Sequence, residues 1–257
     1  VSGLPPIVYE DDDLVAFDKP SGMLSAPDRW DKSRENLMGL VHSRLGEHVA
    51  NLHRLDAVTS GVLLCAKNRE MLVALSGLWE GRGVRKRYLA LVQGRAAAPD
   101  AREHPHLPAD SPEGAWVVDL PIAEDLRQPG RMRVSHSSGK LSETVVWVEE
   151  SFPAHTLLAC EPLTGRTHQI RVHLSAIGLP ILADPFYGGA PPLFLSTLKR
   201  RYKGKPGEPE RPLIARCALH AQSLEFSHPR TGERVRIEAP LANDFEVALK
   251  YLRKLGK

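Results

Sequence analysis

Residues 53–61 read His-Arg-Leu-Asp-Ala-Val-Thr-Ser-Gly, a basic pair, one carboxylate, two hydroxyls and a glycine just ahead of the apolar run 62–66. That run reads as a buried strand, and loops carried by a rigid strand are where reactive groups tend to sit. Asp56 is therefore the candidate catalytic residue. A turn aspartate is the ordinary alternative, and it would account for Asp56 taken alone. Against it stand His53 and Arg54 on one side and Thr59 and Ser60 on the other. A carboxylate at the edge of an apolar strand needs a partner, because breaking a buried ion pair costs on the order of 3–5 kcal/mol. An Arg or Lys from elsewhere in the chain is expected to supply it.

Residues 164–173, Thr-Gly-Arg-Thr-His-Gln-Ile-Arg-Val-His, offer that partner. Ile170, Leu174 and Ile177 repeat at helical spacing up to Gly178, and Thr164 or Thr167 would cap the helix start. Arg171 falls beside Ile170 in projection, at the edge of the buried face. Taken alone, it could equally be a solvated helix arginine. Arg166 and His168 stand at the helix N-terminus, where free N–H groups attract anions; a phosphate contact and a plain capping turn both fit. His168 and His173 point about 140° apart on a helix, so they do not share a metal. No other ligand cluster shows in the sequence. Residues 85–88, Arg-Lys-Arg-Tyr, place an aromatic beside a basic run, which suits stacking on an unpaired base or simply a solvated charge run. There is no GxSxG elbow, no phosphate-binding P-loop and no evident carboxylate partner for a glycosidase pair.

The elements that must carry these groups follow from periodicity. Strands at 7–10 and 14–17 flank the acidic turn Asp11-Asp12-Asp13, and Lys19-Pro20-Ser21-Gly22 ends the second of them. Leu37, Leu40, Val41 and Leu45 predict a helix over 35–46, and Leu72, Leu75 and Trp79 a second one closed by Gly81 and Gly83. Strands follow at 88–92, 117–120, 143–148 and 155–160. A hairpin is expected from 218–226 and 234–238, and a final helix carries Phe245, Leu249 and Leu252. Short strands that follow one another directly argue for an α+β fold with a mainly antiparallel sheet flanked by helices, not a doubly wound parallel one. Stretches 95–116 and 189–214 lack periodicity and read as insertions or mobile loops, the second one basic at 199–205.

The chain has 257 residues, is 42% hydrophobic and carries a net charge of +3, enough for a substantial core and a charge compatible with nucleic acid without demanding it. Its three cysteines, Cys65, Cys160 and Cys217, have apolar neighbours and no zinc-ligand spacing, as buried thiols in a reducing compartment would. No signal peptide and no apolar run near the roughly 20 residues of a membrane span are visible, so a soluble, cytoplasmic protein is expected.

Taken together, the segments are not anonymous. Residues 53–61 resemble the HRLDxxTSG signature of the RluA-type RNA pseudouridine synthases, and residues 86–94 are similar to that family's KxYxAxVxG strand. Residues 162–173 resemble its third motif and residues 14–22 its opening strand and KPxG turn. Residues 219–221 and 226–229 match smaller patterns, all in family order. The resemblance implies the pseudouridine synthase fold with a central catalytic cleft, built as a single catalytic domain over 1–257 without an N-terminal S4-type domain.

It further implies an isomerase that detaches uracil from C1′ of a uridine in ribosomal or transfer RNA, turns it and rejoins it through C5. Asp56 would be the essential carboxylate, nucleophilic or proton-abstracting. Arg171 would pair with it, Tyr88 would stack on the base and assist proton removal at C5, and Arg54 would fill the gap left by the flipped nucleotide. His53, Thr59, Arg166 and His168 are the further candidate substrate-binding residues. No cofactor, no metal and no membrane is implied, RNA is the partner, and a monomer is expected. A non-catalytic RNA-binding protein on the same fold, or a hydrolase of a glycosidic bond, are the competing readings. Residues 179–184 depart from the family in having Leu and Ala where His and Gly are frequent.

Overall fold

Residues 60–66 alternate their side chains between two hydrophobic faces, and both faces are covered. In the computed structural model, which describes residues 3–28, 31, 33–97, 104–204 and 207–255, every residue of that strand is buried. In chain order the elements are β1 (Ile7–Glu10), β2 (Leu14–Lys19), α1 (Leu37–Leu45), β3 (Ala50–Asn51), β4 (Ser60–Ala66), α2 (Arg69–Glu80) and β5 (Arg85–Gln93). Then come β6 (Trp116–Asp119), β7 (Ile122–Glu124), β8 (Met132–Val134), β9 (Glu143–Ser151), β10 (His155–Pro162), α3 (Gln169–Ala176), α4 (Leu195–Leu198), β11 (Leu219–Ser227), β12 (Arg234–Glu238) and α5 (Asn243–Leu255). No helix among the described residues is long and apolar enough to cross a membrane.

The chain groups into two compact units, residues 1–88 with 220–241, and residues 89–219 with 242–257. In the first, the strands run β1-β2-β4-β11, with β12 also on β11 and β3 on β4. β2 and β4 are antiparallel, with Phe17 opposite Leu63 and Val15 opposite Cys65. Leu14, Ala16, Val62, Leu64 and Ala66 face one way, onto Met71 and Leu75 of α2. Val15, Phe17, Leu63 and Cys65 face the other way, onto Leu37, Met38 and Val41 of α1. The period of two thus builds two cores on one strand pair, which is why these strands are almost wholly apolar. Both helices open with an asparagine cap: Asn36 accepts from Gly39 N at 2.9 Å, and Asn68 from Met71 N at 2.8 Å.

The acidic turn is a joint in this unit. Asp11 Oδ1 accepts the N–H groups of Asp13 and Leu14, and Arg230, from the turn between β11 and β12, forks onto Asp13 at 2.6 and 2.7 Å. The second unit carries the strand order β5-β10-β9-β6 and the small β7-β8 pair, with α3 packed on β8, β9 and β10. The expected α+β architecture with mainly antiparallel pairing is what forms; β11 with β4 is the parallel exception. Sequence periodicity missed β3, β7, β8 and α4, all of four residues or fewer.

Of the two stretches without periodicity, residues 98–103 of the first and Lys205 and Pro206 of the second lie outside the described residues. Residues 104–115 form successive turns, with Leu107 N bonded to His104 O and Ser111 N to Pro108 O. The second stretch is closed at its base, where Leu193 and Ile214 pair, and carries exposed Lys199, Arg200 and Arg201.

Gly61 shows why this frame tolerates little change. Its φ is +112°, and a Cβ there would stand 2.1 Å from the Ala221 carbonyl oxygen of β11. Any side chain must break the parallel pairing of His220 and Ala221 with Ser60 and Gly61. Gly61→Ala is expected to cost more than about 3 kcal/mol, through backbone strain and a lost strand contact. Urea denaturation of the variant against the parent measures it.

Candidate active site

The loop from His53 to Thr59 lies outside the strand ladders, so its conformation rests on what reaches its peptide groups. The Ser25 hydroxyl donates to Leu55 O at 2.7 Å and accepts Leu55 N–H at 3.0 Å, bracketing the peptide group just ahead of Asp56. Asp56 O accepts Thr59 N at 3.0 Å, so Asp56 does open a turn. Gly22 N donates to Ala57 O at 2.7 Å, and Ser21 Oγ to Val58 O at 2.7 Å. The ammonium of Lys19, fully buried, donates to Pro20 O, Met23 O and Ala57 O at 3.0, 2.8 and 3.4 Å. The Lys-Pro-Ser-Gly turn thus acts as a clamp on the backbone beside Asp56, a task its sequence alone did not disclose.

With its backbone held, the half-buried Asp56 side chain stands within electrostatic reach of Tyr88. Burial, and then the Asp56 charge, push the Tyr88 phenol well above its usual range. The ring packs against the core face formed by Val15, Phe17 and Leu55. In the free protein at neutral pH, Tyr88 therefore keeps its proton. The other candidates of this unit divide. Arg54 is exposed, as a residue meant to meet RNA would be. Thr59 is only 2% exposed.

His53 is bound into the frame. Its Nε2 accepts Leu64 N–H at 3.1 Å, and its ring stacks on Trp79 at 4.7 Å. Burial, and then the nearby Lys86 charge, lower its pKa to about 3. It is a neutral ring that braces the loop. Ser60 and His220 tie the strand end in the same manner, Ser60 Oγ lying 2.9 Å from His220 Nδ1 and His220 Nε2 3.3 Å from Ala239 O.

In the second unit, α3 begins at Gln169, later than either threonine predicts. His168 occupies the cap position with φ 56° and makes no capping bond from its side chain. The threonine expectation fails because Thr164 is used elsewhere: its hydroxyl donates to Gln169 Oε1 at 2.7 Å and accepts Glu143 N–H at 3.0 Å. Gln169 Nε2 then reaches Glu143 O and Thr144 Oγ1. His173 lies between Thr144 Oγ1 and Leu120 O, at 3.0 and 2.9 Å. Thr164, Gln169 and His173 thus pin α3 to β9. Arg166 is exposed and donates from Nε to Leu141 O, and His168 Nδ1 meets the Tyr187 hydroxyl at 2.7 Å.

Arg171 is 1% exposed, which removes the reading as a solvated helix arginine. Its guanidinium forks onto Asp184, Nε to Oδ2 at 2.7 Å and a terminal nitrogen to Oδ1 at 2.9 Å, and lies 5.0 Å from the Tyr187 ring centroid. Asp184 Oδ1 also accepts the N–H groups of Phe186 and Tyr187. Burial by itself raises the Asp184 carboxyl, but the Arg171 hydrogen bonds and charge, with those two N–H groups, outweigh it and leave the pKa low. Asp184 was not singled out from the sequence. Its signal was a lone aspartate closing the apolar segment 179–183.

Two outcomes follow. Ser25→Ala leaves the buried Leu55 peptide group without that hydroxyl and should cost about 1–3 kcal/mol, with a loss of activity because Asp56 is next in the chain. Urea titration and an isomerisation assay of the same preparation check both. Asp184→Asn should cost about 3–5 kcal/mol at neutral pH by breaking a buried pair. Since the folded-state pKa lies below that of an ordinary aspartate, the stabilisation is complete above the ordinary value and is lost as pH falls through the folded one. The gap between parent and variant should therefore narrow in acid, as denaturation at a series of pH values would show.

Residues 13–176 match the family model described as RNA pseudouridylate synthase. Ribosomal large subunit pseudouridine synthase C of Salmonella typhimurium is 38% identical over 96% of this chain and 70% of its own length. Ribosomal large subunit pseudouridine synthase D of Nitrosomonas europaea is 35% identical over 97% of this chain and 65% of its own. Among solved structures, human RNA pseudouridylate synthase domain containing 1 superposes with a TM-score of 0.63 at 27% identity, covering 91% of this chain and 82% of that one. The expected α+β fold is the pseudouridine synthase fold. A match over most of the chain, at this identity, means that the protein belongs to the RluA-type family of RNA pseudouridine synthases, isomerases of uridine in RNA.

Proposed function

We infer that this isomerase acts on specific uridines of large-subunit ribosomal RNA, with Asp56, Tyr88 and Arg171 as its catalytic residues. The ribosomal target is supported by the relatives named above, ribosomal large subunit pseudouridine synthases that align over almost the whole chain. The observation that carries the reaction is the clamped Asp56 loop with the protonated Tyr88 phenol near its carboxylate. In the proposed course the bond between N1 and C1′ breaks, uracil turns, and C5 bonds to C1′. C5 then loses its proton and N1 gains one, so atoms balance with no redox change. Asp56 serves as nucleophile or as proton acceptor. Tyr88 stacks on the turned base, and since it starts as a neutral phenol, it takes part in loss of the C5 proton by passing its own proton on. Arg171, held in one orientation by Asp184, is the source of positive charge in this reading. Arg54 enters the space left by the flipped nucleotide, a step that makes buried atoms of paired RNA reachable. Three free, buried cysteines support a reducing, cytoplasmic location.

Asp56→Asn is expected to abolish isomerisation while RNA affinity stays within about threefold, since most affinity for RNA comes from phosphate contacts. Tritium release from C5-labelled uridine in RNA, together with filter binding, reads both quantities. Pseudouridine mapping of ribosomal and transfer RNA from cells lacking the protein identifies the target. Loss of a site in large-subunit RNA is expected, and loss confined to transfer RNA would refute the ribosomal assignment.

A further inference from the structure

His104, Pro105 and His106 precede a series of turns in a stretch without periodicity, and nothing in the isomerase reaction calls for them. The fold of the second unit gives them a neighbour 37 residues further on. One nitrogen of each imidazole and one carboxylate oxygen of Glu143 lie within 4.8 Å of one another. Glu143 opens β9 and is fully buried, and its Oε1 meets His106 Nδ1 directly. The two rings stand nearly edge to face, with centroids 5.6 Å apart. His104 Nε2 is 3.9 Å from Asp119 Oδ2, and Asp119 is the residue opposite Glu143 in the β6-β9 pairing.

We propose that His104, His106 and Glu143 form a binding site for a divalent transition metal of the zinc class. Two neutral imidazoles and one carboxylate are a ligand set that zinc takes, with a fourth position left to water. Zinc bonds of roughly 2.0–2.1 Å put tetrahedral ligand atoms about 3.4 Å apart, so a bound metal would draw in the wider pairs of this group and part the direct His106–Glu143 contact. Borderline nitrogen donors disfavour magnesium and calcium, which want oxygen shells. Asp119 stands as the outer carboxylate that orients a metal-bound imidazole. The long contact of 3.3 Å from His106 N to His104 Nδ1 is the interaction such a metal would replace.

The metal would do structural work. The Glu143 backbone already holds the segment before α3, its carbonyl accepting from Gln169 Nε2 and Leu163 N. Binding at the Glu143 side chain fastens residues 104–106 to the same point of β9.

The test titrates the metal-stripped full chain with zinc by calorimetry, and with cobalt by visible absorption. One zinc per chain is expected, with the intense cobalt bands of a four-coordinate site. Both histidines are partly exposed, so the double variant H104A/H106A should fold. It should bind zinc more weakly by at least the roughly tenfold that even an outer-shell change costs. Zinc should raise the unfolding temperature of the parent and not that of the double variant. No zinc uptake by the parent, or equal uptake by parent and double variant, would overturn the proposal. Since the isomerase reaction uses none of these side chains, its rate in the double variant should match the parent.

Discussion

The reactive loop is irregular backbone laid beside a fully buried strand, and such backbone holds one shape only if its carbonyls and N–H groups find partners inside the protein. Everything else at Asp56 depends on that. Ser25 answers both groups of Leu55, Ser21 and Gly22 answer Val58 and Ala57, and Lys19 adds a buried ammonium over three carbonyls. These donors lie 30 to 40 residues earlier in the chain, and β2 delivers them by pairing with β4. A reacting carboxylate must be placed to a fraction of an ångström. Here the backbone on both sides of Asp56 is fixed by hydrogen bonds to its neighbouring peptide groups. Lys19, Ser21 and Ser25 are in this sense positioning residues.

The second unit solves a related problem with charge. A guanidinium taken fully out of water is costly unless it is paired and its donors are used. Arg171 meets this with a two-pronged bond to Asp184, whose own oxygens are further held by Phe186 and Tyr187 N–H and approached by the Cys217 thiol. The aromatic rings of Phe186 and Tyr187 add flat faces about 5–6 Å from the guanidinium carbon. An arginine fixed so firmly presents its positive charge in one direction. The proposed electrostatic role of Arg171 would draw on this, because a fixed charge has nothing to reorganise during reaction.

Much of this was legible in the chain. The period-two runs at 14–17 and 62–66 gave the buried strands, and the spacing of Leu37, Leu40 and Val41 gave α1, because regular periods leave regular marks. The ordered motifs at 53–61, 86–94 and 162–173 carried the family. What escaped depends on distance along the chain. Asp184 reaches Arg171 across a turn, and Glu143 reaches His106 only once β9 is laid in place. Sequence spacing cannot announce either pair. The start of α3 was misjudged for a different reason: Thr164 has the chemistry of a cap, but a tertiary demand at Glu143 N and Gln169 claims its hydroxyl first. The neutrality of His53 is likewise hidden in the sequence, because it comes from burial and from the charge of Lys86, which is 33 residues away.

The electrostatic outcome on the reactive loop can be drawn from two of these neighbours. His53 stays neutral because burial and Lys86 oppose protonation, and Tyr88 stays neutral because burial and Asp56 oppose ionisation. One is held far below neutral pH and the other far above it, so neither changes charge across the range in which cells work. The Asp56 loop therefore carries aromatic surface without extra formal charge from these two rings. Under the proposed function, a neutral base such as uracil would meet Tyr88 as an uncharged ring, and the exposed Arg54 would face the anionic backbone. Burial holds two titratable rings neutral, so the formal charges on this loop are those of Arg54 and Asp56, and a proposed catalytic role there falls to the carboxylate.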